Sequence, residues 1–205
     1  MLDNTLFIAF ENEGAMLGKW LKKDLNTHID LINIHTIQRT LDDDSTWECI
    51  IEKEYHPFSG RTSVWSQASM TFANFTHDLN AQNLVRNACK MGRWDNVVII
   101  APAFTMVAVD AFSLGVPWLC SVILPIINNI TVATVLPPNK IEHTYIDAAK
   151  GLYNIKHVSE KIQIEQAEFD WSSYGIPNTS SDQISHDIHD AFCHCINMVR
   201  KWIEE

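Results

Sequence analysis

Short apolar runs alternate along this chain with stretches in which apolar residues recur at helical spacing. Leu6 to Phe10 is the first run and predicts a strand. From about Glu13 to Leu25, Met16, Leu17, Trp20, Leu21 and Leu25 recur on one side and Lys19, Lys22 and Lys23 on the other, which predicts an amphipathic helix. Ile29 to Ile34 predicts a second strand, and strand–helix–strand in that order opens a parallel βαβ unit. Asp42-Asp43-Asp44 marks a turn. Beyond it, Trp47, Cys49 and Ile51 alternate with Glu48, Ile50 and Glu52, as in a strand with one wetter face. Glu54 to Thr76 has no period and reads as an irregular loop, long enough to serve as a lid.

Asp78 can cap a helix reaching Met91, with Leu79, Val85, Ala88 and Cys89 inward. Asn96 to Ala101 is continuously apolar after its first residue, the pattern of a strand buried on both faces at the centre of a parallel sheet. Pro102 ends it, Thr105 can cap a helix over Met106 to Leu114, and Gly115 is expected to close that helix. Trp118 to Leu124 and Thr131 to Leu136 predict two more strands. Pro137-Pro138 opens a helix over Ile141 to Tyr153, and Lys161 to Gln166 predicts an edge strand. Trp171 to Ser181 reads as a loop, and a last helix runs from Ser181 or Asp182 to Ile203. The expected fold is α/β, three-layer and Rossmann- or flavodoxin-like: a mainly parallel sheet with helices on both faces, in one domain over residues 1–205.

Composition narrows the partners. In 205 residues the formal net charge is −10, and no basic cluster exceeds Lys22-Lys23, which argues against a broad nucleic-acid surface. No apolar run reaches the roughly 18–20 residues of a membrane span; Val116 to Ile127 is broken by Pro117 and Pro125. The N-terminus lacks the basic and small-residue features of a signal peptide, and the 5 cysteines form no CxxC pair, so a cytoplasmic protein with reduced thiols is expected. The sequons at Asn74, Asn129 and Asn178 then read as chance matches.

In open parallel sheets, ligands bind beyond the carboxyl ends of the strands, near helix N-termini. That rule selects Glu11 and Asn12 after the first strand, and Ala103 and Thr105 after the central one. Glu11 can act as a general base or accept from ribose hydroxyls or an amine; helix capping is the competing reading. Neither GxGxxG nor a Walker A pattern is present, and the glutamates at this turn would repel a phosphate. In the long loop, Ser59, Arg61 and Ser63 offer hydroxyls and a guanidinium to an anionic ligand, against the reading of an ordinary polar loop. Asp110 is the one acid in its apolar helix and joins the catalytic candidates. On the last helix, His186, His189 and Cys193 share a face, expected to be wet and metal-free, while Ile184, Ile188, Cys195 and Trp202 dock.

The segment from Arg93 to Gly115, centred on Asn96-Val97-Val98-Ile99-Ile100-Ala101-Pro102-Ala103-Phe104-Thr105, resembles the homo-oligomeric flavin-containing cysteine decarboxylases. The resemblance implies an FMN site at the end of this strand and His77 as the catalytic histidine. The chain departs from the family at Met106, where the family has Asn, and lacks its Gly-Ser turn after strand one. The function read from these features is a small-molecule enzyme that binds a flavin or nucleotide-like ligand at the strand ends, in an FMN-dependent, decarboxylase-like form. A nucleotide or nucleotide-sugar transferase on the same scaffold is the alternative. A non-catalytic binding or assembly module is the other, since the apolar helix over Met106 to Leu114 offers a face to a partner, a second copy included.

Overall fold

The computed structural model describes residues 4–25, 30–41, 44–54, 66–71, 79–92, 94–103, 106–136 and 142–168, with Asp190, Cys193 and Asn197 as isolated helical positions. In chain order these form β1 (Thr5–Phe10), α1 (Glu11–Leu25), β2 (Asp30–Leu41), β3 (Asp44–Glu54), β4 (Ser66–Thr71), α2 (Leu79–Lys90), β5 (Asn96–Ile100), α3 (Met106–Ile123), β6 (Asn129–Leu136), α4 (Glu142–Val158) and β7 (Gln163–Glu168). One seven-stranded sheet has the order β4-β3-β2-β1-β5-β6-β7. Five strands, β2, β1, β5, β6 and β7, run parallel. β3 and β4 extend the sheet antiparallel beyond β2.

The parallel strands are apolar without alternation because both of their faces are covered. All six residues of β1 are buried. Leu6, Ile8 and Phe10 face a core built with Val85 and Ala88 of α2, Phe112, Val116 and Leu119 of α3, and Ala148 and Ile155 of α4. Ala9 and Leu31 face the other way, where α1 lies with Gly18 against both. Helices therefore pack on both faces, as expected. β5 is the middle strand of the parallel five, and β7 is an edge, also as expected.

Four expectations differ from what is observed. Trp118 to Leu124 is not a strand: α3 continues through Gly115 and Pro117 to Ile123. A fully buried helix and a buried strand give the same unbroken apolar run, and α3 is enclosed by α2, α4 and the sheet. Gly115 is no cap; a Cβ there would run into the ring of Phe10, so glycine serves close packing. Within the loop expected over Glu54 to Thr76, Ser66–Thr71 forms β4 and pairs with β3, its Ser-Gln-Ala-Ser-Met-Thr composition hiding it from an apolar-pattern reading. Residues 55–65 and 72–76 lie outside the described ones. Leu79 does not point inward; it is 67% exposed, because it falls about 200° round the helix from buried Ala81. Lastly, β2 runs on to Leu41, which pairs with Asp44, so the expected turn sits within a hairpin.

Of the helix expected over 181–203, Cys193 is half-buried and Asn197 exposed. The docking stripe Ile184, Ile188, Cys195 and Trp202, and His186 and His189, lie outside the described residues. No helix among the described residues is long and apolar enough to cross a membrane.

Candidate functional site

The order of the parallel strands turns between β1 and β5. The chain leaves β1 into α1 on one face of the sheet and leaves β5 toward α3 on the other. The two helices diverge from adjacent carboxyl ends, which opens a crevice there, the usual ligand position in open α/β sheets. Ala9 pairs with Ile100, so Phe10 and Glu11 come level with the chain leaving β5. Past Ile100 that chain stays along β6: the Ala101 N–H donates to the Ala133 carbonyl at 3.0 Å, and the Ala103 N–H to the Val135 carbonyl at 2.8 Å. On the opposite wall Gly14 presses α1 against the Ile100 carbonyl.

Glu11 stands at this crevice as the first residue of α1. Its φ is 64°, the one positive φ of a non-glycine residue among the described residues. L-residues pay for that left-handed conformation, and glycine is its usual occupant. Glu11 is also 9% exposed, a carboxylate withdrawn from solvent at a strand-to-helix junction. Strain and a buried charge at one position are the kind of local conflict that clusters at functional sites.

Asn33 was not selected by the sequence reading. It lies on β2 in register with Ala9, on the α1 side of the sheet, and is 1% exposed. Its Oδ1 has no hydrogen-bond partner. An unsatisfied buried amide oxygen is costly, which makes it a notable position. The signal was present as a single amide inside the apolar run Leu31-Ile32-Asn33-Ile34.

The other candidates divide cleanly. Asn12 belongs to the first turn of α1, but its side chain is not among those described. Ala103 lies on the same carboxyl edge; it is fully buried and its N–H is taken by Val135, so it can contribute packing and backbone shape. Asp110 lies in the first turns of α3, with only its backbone described. His77, Thr105, Ser59, Arg61 and Ser63 lie outside the described residues. Glu11, Asn12 and Ala103 are thus the selected residues whose backbones the fold brings to one edge.

The described cysteines are unsuited to nucleophilic work. Cys89 and Cys120 are buried, and burial pushes the Cys120 thiol up to about 12. No group of three or more metal-ligating side chains occurs among the described residues. Two open depressions lie away from the crevice: one of about 490 Å³ on α4, around Ile146, Ala149 and Tyr153, and one of about 510 Å³ between Tyr153 and Ile164 of β7. Neither touches a buried titratable group, and for a site of chemistry the strand-order argument outweighs them.

No protein-family model and no curated protein sequence matches this chain.

Proposed function

We propose that this protein is a small-molecule enzyme that binds a flavin- or nucleotide-like ligand in the crevice between the carboxyl ends of β1 and β5. The reversal of strand order at that point is the observation that carries the reading. Two further features support it. Glu11, buried and strained, stands at the crevice as a candidate general base. The segment that resembles the flavin-containing decarboxylases, residues 93–115, includes β5, the Ala101–Ala103 exit and the first half of α3, which are elements of the crevice.

FMN is the cofactor that this resemblance implies. Its phosphate needs N–H donors and positive charge, and the start of α1 brings a carboxylate instead. The phosphate does not fit at that turn, so no catalytic step is derived through the flavin.

The test is a purified full-length sample. Visible flavin absorption or excess nucleobase absorption after purification, or a rise in Tm with flavins, nucleosides or nucleotides, is expected. Hydrogen exchange should then show protection at residues 10–14 and 100–103. A protein that is colourless, free of nucleobase and unresponsive to the whole panel would remove the reading.

A second reading, a non-catalytic assembly module, is favoured by the apolar exposure on α4, where Ile146 is 49% and Tyr153 68% exposed. Light scattering across a concentration series tests it, a constant monomer mass being the adverse result.

A further inference from the structure

A phosphate bound at a helix start is held by free N–H groups and by the positive end of the helix dipole. At α1 the first residue is Glu11, buried and carrying its own negative charge into that position. Beneath α1, the wall of the crevice brings a second acceptor. Gly18 of α1 packs on Leu31 and Ala9; Asn33 is two residues nearer the carboxyl end of β2 on the same face, so its side chain points at the first turns of α1. Its Oδ1 is 99% withdrawn from solvent, as the residue exposure of 1% shows, and has no hydrogen-bond partner. One side of the site therefore presents a carboxylate and an amide oxygen, both acceptors.

We propose that the α1 side of the β1/β5 crevice takes a hydrogen-bond-donating, uncharged or cationic part of the ligand, a hydroxyl, amide N–H or amine, and rejects phosphate. Glu11 and Asn33 are the two acceptors. This rests on the binding site proposed above and specifies its ligand: the unphosphorylated nucleoside or flavin, not the phosphate ester. It also accounts for the misfit of FMN at this turn. A phosphate facing a buried carboxylate suffers like-charge repulsion that solvent barely screens, whereas a donor group meets two waiting acceptors.

The experiment is calorimetric titration of the full chain with two pairs of probes, riboflavin against FMN and adenosine against AMP, in wild type, Glu11→Gln and Asn33→Leu. In whichever pair binds, the unphosphorylated member is expected to bind about tenfold or more tightly than its phosphate ester. Glu11→Gln, which removes the charge and keeps the shape, should bring the two members close together. Asn33→Leu should weaken both members alike while Tm holds or rises, since it removes an unsatisfied buried group; circular dichroism confirms the fold of each variant. A wild type that prefers FMN or AMP, or a preference that Glu11→Gln leaves unchanged, overturns this proposal alone. Failure of all four probes to bind a folded wild type overturns the site itself, and the proposal with it.

Discussion

A Cβ on Gly14 would stand 2.6 Å from the carbonyl oxygen of Ile100. That oxygen belongs to the backbone of β5 and cannot swing aside, so any larger residue must lift the start of α1 off the sheet. Gly14→Ala is therefore expected to destabilise the protein by about 1–3 kcal/mol, even though alanine is the better helix former. Gly18 makes a useful contrast. A Cβ there would meet the Leu31 Cδ1 at 3.2 Å, a side-chain tip that can give by a few tenths of an ångström. Gly18→Ala should be near neutral, the gain of about 1 kcal/mol in helix propensity offsetting the contact. Denaturant melts of both variants decide this; equal losses at the two positions would count against the close approach at Gly14.

Pro117 lies inside α3, where it supplies no N–H to the helix ladder. Its neighbours Val116 and Trp118 are buried, so packing holds the helix together across the break. Pro117→Ala should restore a backbone hydrogen bond and raise stability by about 1–3 kcal/mol, toward the full cost of a mid-helix proline. If the segment were the strand that its apolar run suggests, the same substitution would bring no such gain. A lowered Tm would argue that the bend at Pro117 is needed for α3 to pass Phe10.

Burial raises the Cys120 thiol from its ordinary 9.0 to about 12. Between those values the unfolded chain has lost the thiol proton and the native protein still holds it. The native state then binds more protons, so stability falls as pH rises through that window and is unaffected below it. The loss for this one group is on the order of 1 kcal/mol per pH unit. Lysines and tyrosines titrate in the same range, so the informative quantity is the difference between wild type and Cys120→Ala. The wild-type stability curve should be the steeper of the two above pH 9.0. Parallel curves would mean that the thiol is far less buried. Near neutral pH, Cys120 should resist alkylation until the protein unfolds.

How far the fold was legible follows from where each element sits. β1, β5 and β6 lie inside the sheet, and their apolar runs announced them because both faces are covered. α3 was half lost for the same reason: a helix enclosed on several sides has no polar stripe to reveal its period, and Gly115 and Pro117 mimic a stop. β4 was lost for the opposite reason, since an edge strand of Ser, Gln, Ala and Thr needs no apolar alternation. At the site, Glu11 was legible because strand–turn–helix order fixes what stands at a carboxyl end. Asn33 was not, because one amide in an apolar run takes on meaning only when register sets it beside Ala9 and under α1. The left-handed turn at Glu11 was hidden as well, because glycine is the residue that advertises it.

The last prediction separates the backbone of Glu11 from its carboxylate. With φ at 64°, the position imposes a conformation that costs an L-residue roughly 1–2 kcal/mol and costs glycine almost nothing. Glu11→Ala and Glu11→Gly both remove the buried charge, but only the glycine variant relieves the strain. Helix propensity has little leverage here, since the residue opens α1 and is not within its interior. Glu11→Gly should therefore be more stable than Glu11→Ala by about 1–2 kcal/mol. Both should lose the preference for unphosphorylated ligands, because neither keeps the carboxylate. A protein selected for stability alone would hold glycine at this turn; retaining a strained glutamate is the trade expected where a side chain is needed for function. Denaturant melts and the paired riboflavin and FMN titrations read the two effects independently. If Glu11→Ala matches Glu11→Gly in stability, the left-handed turn carries no strain; if both keep the wild-type ligand preference, the carboxylate plays no part in recognition.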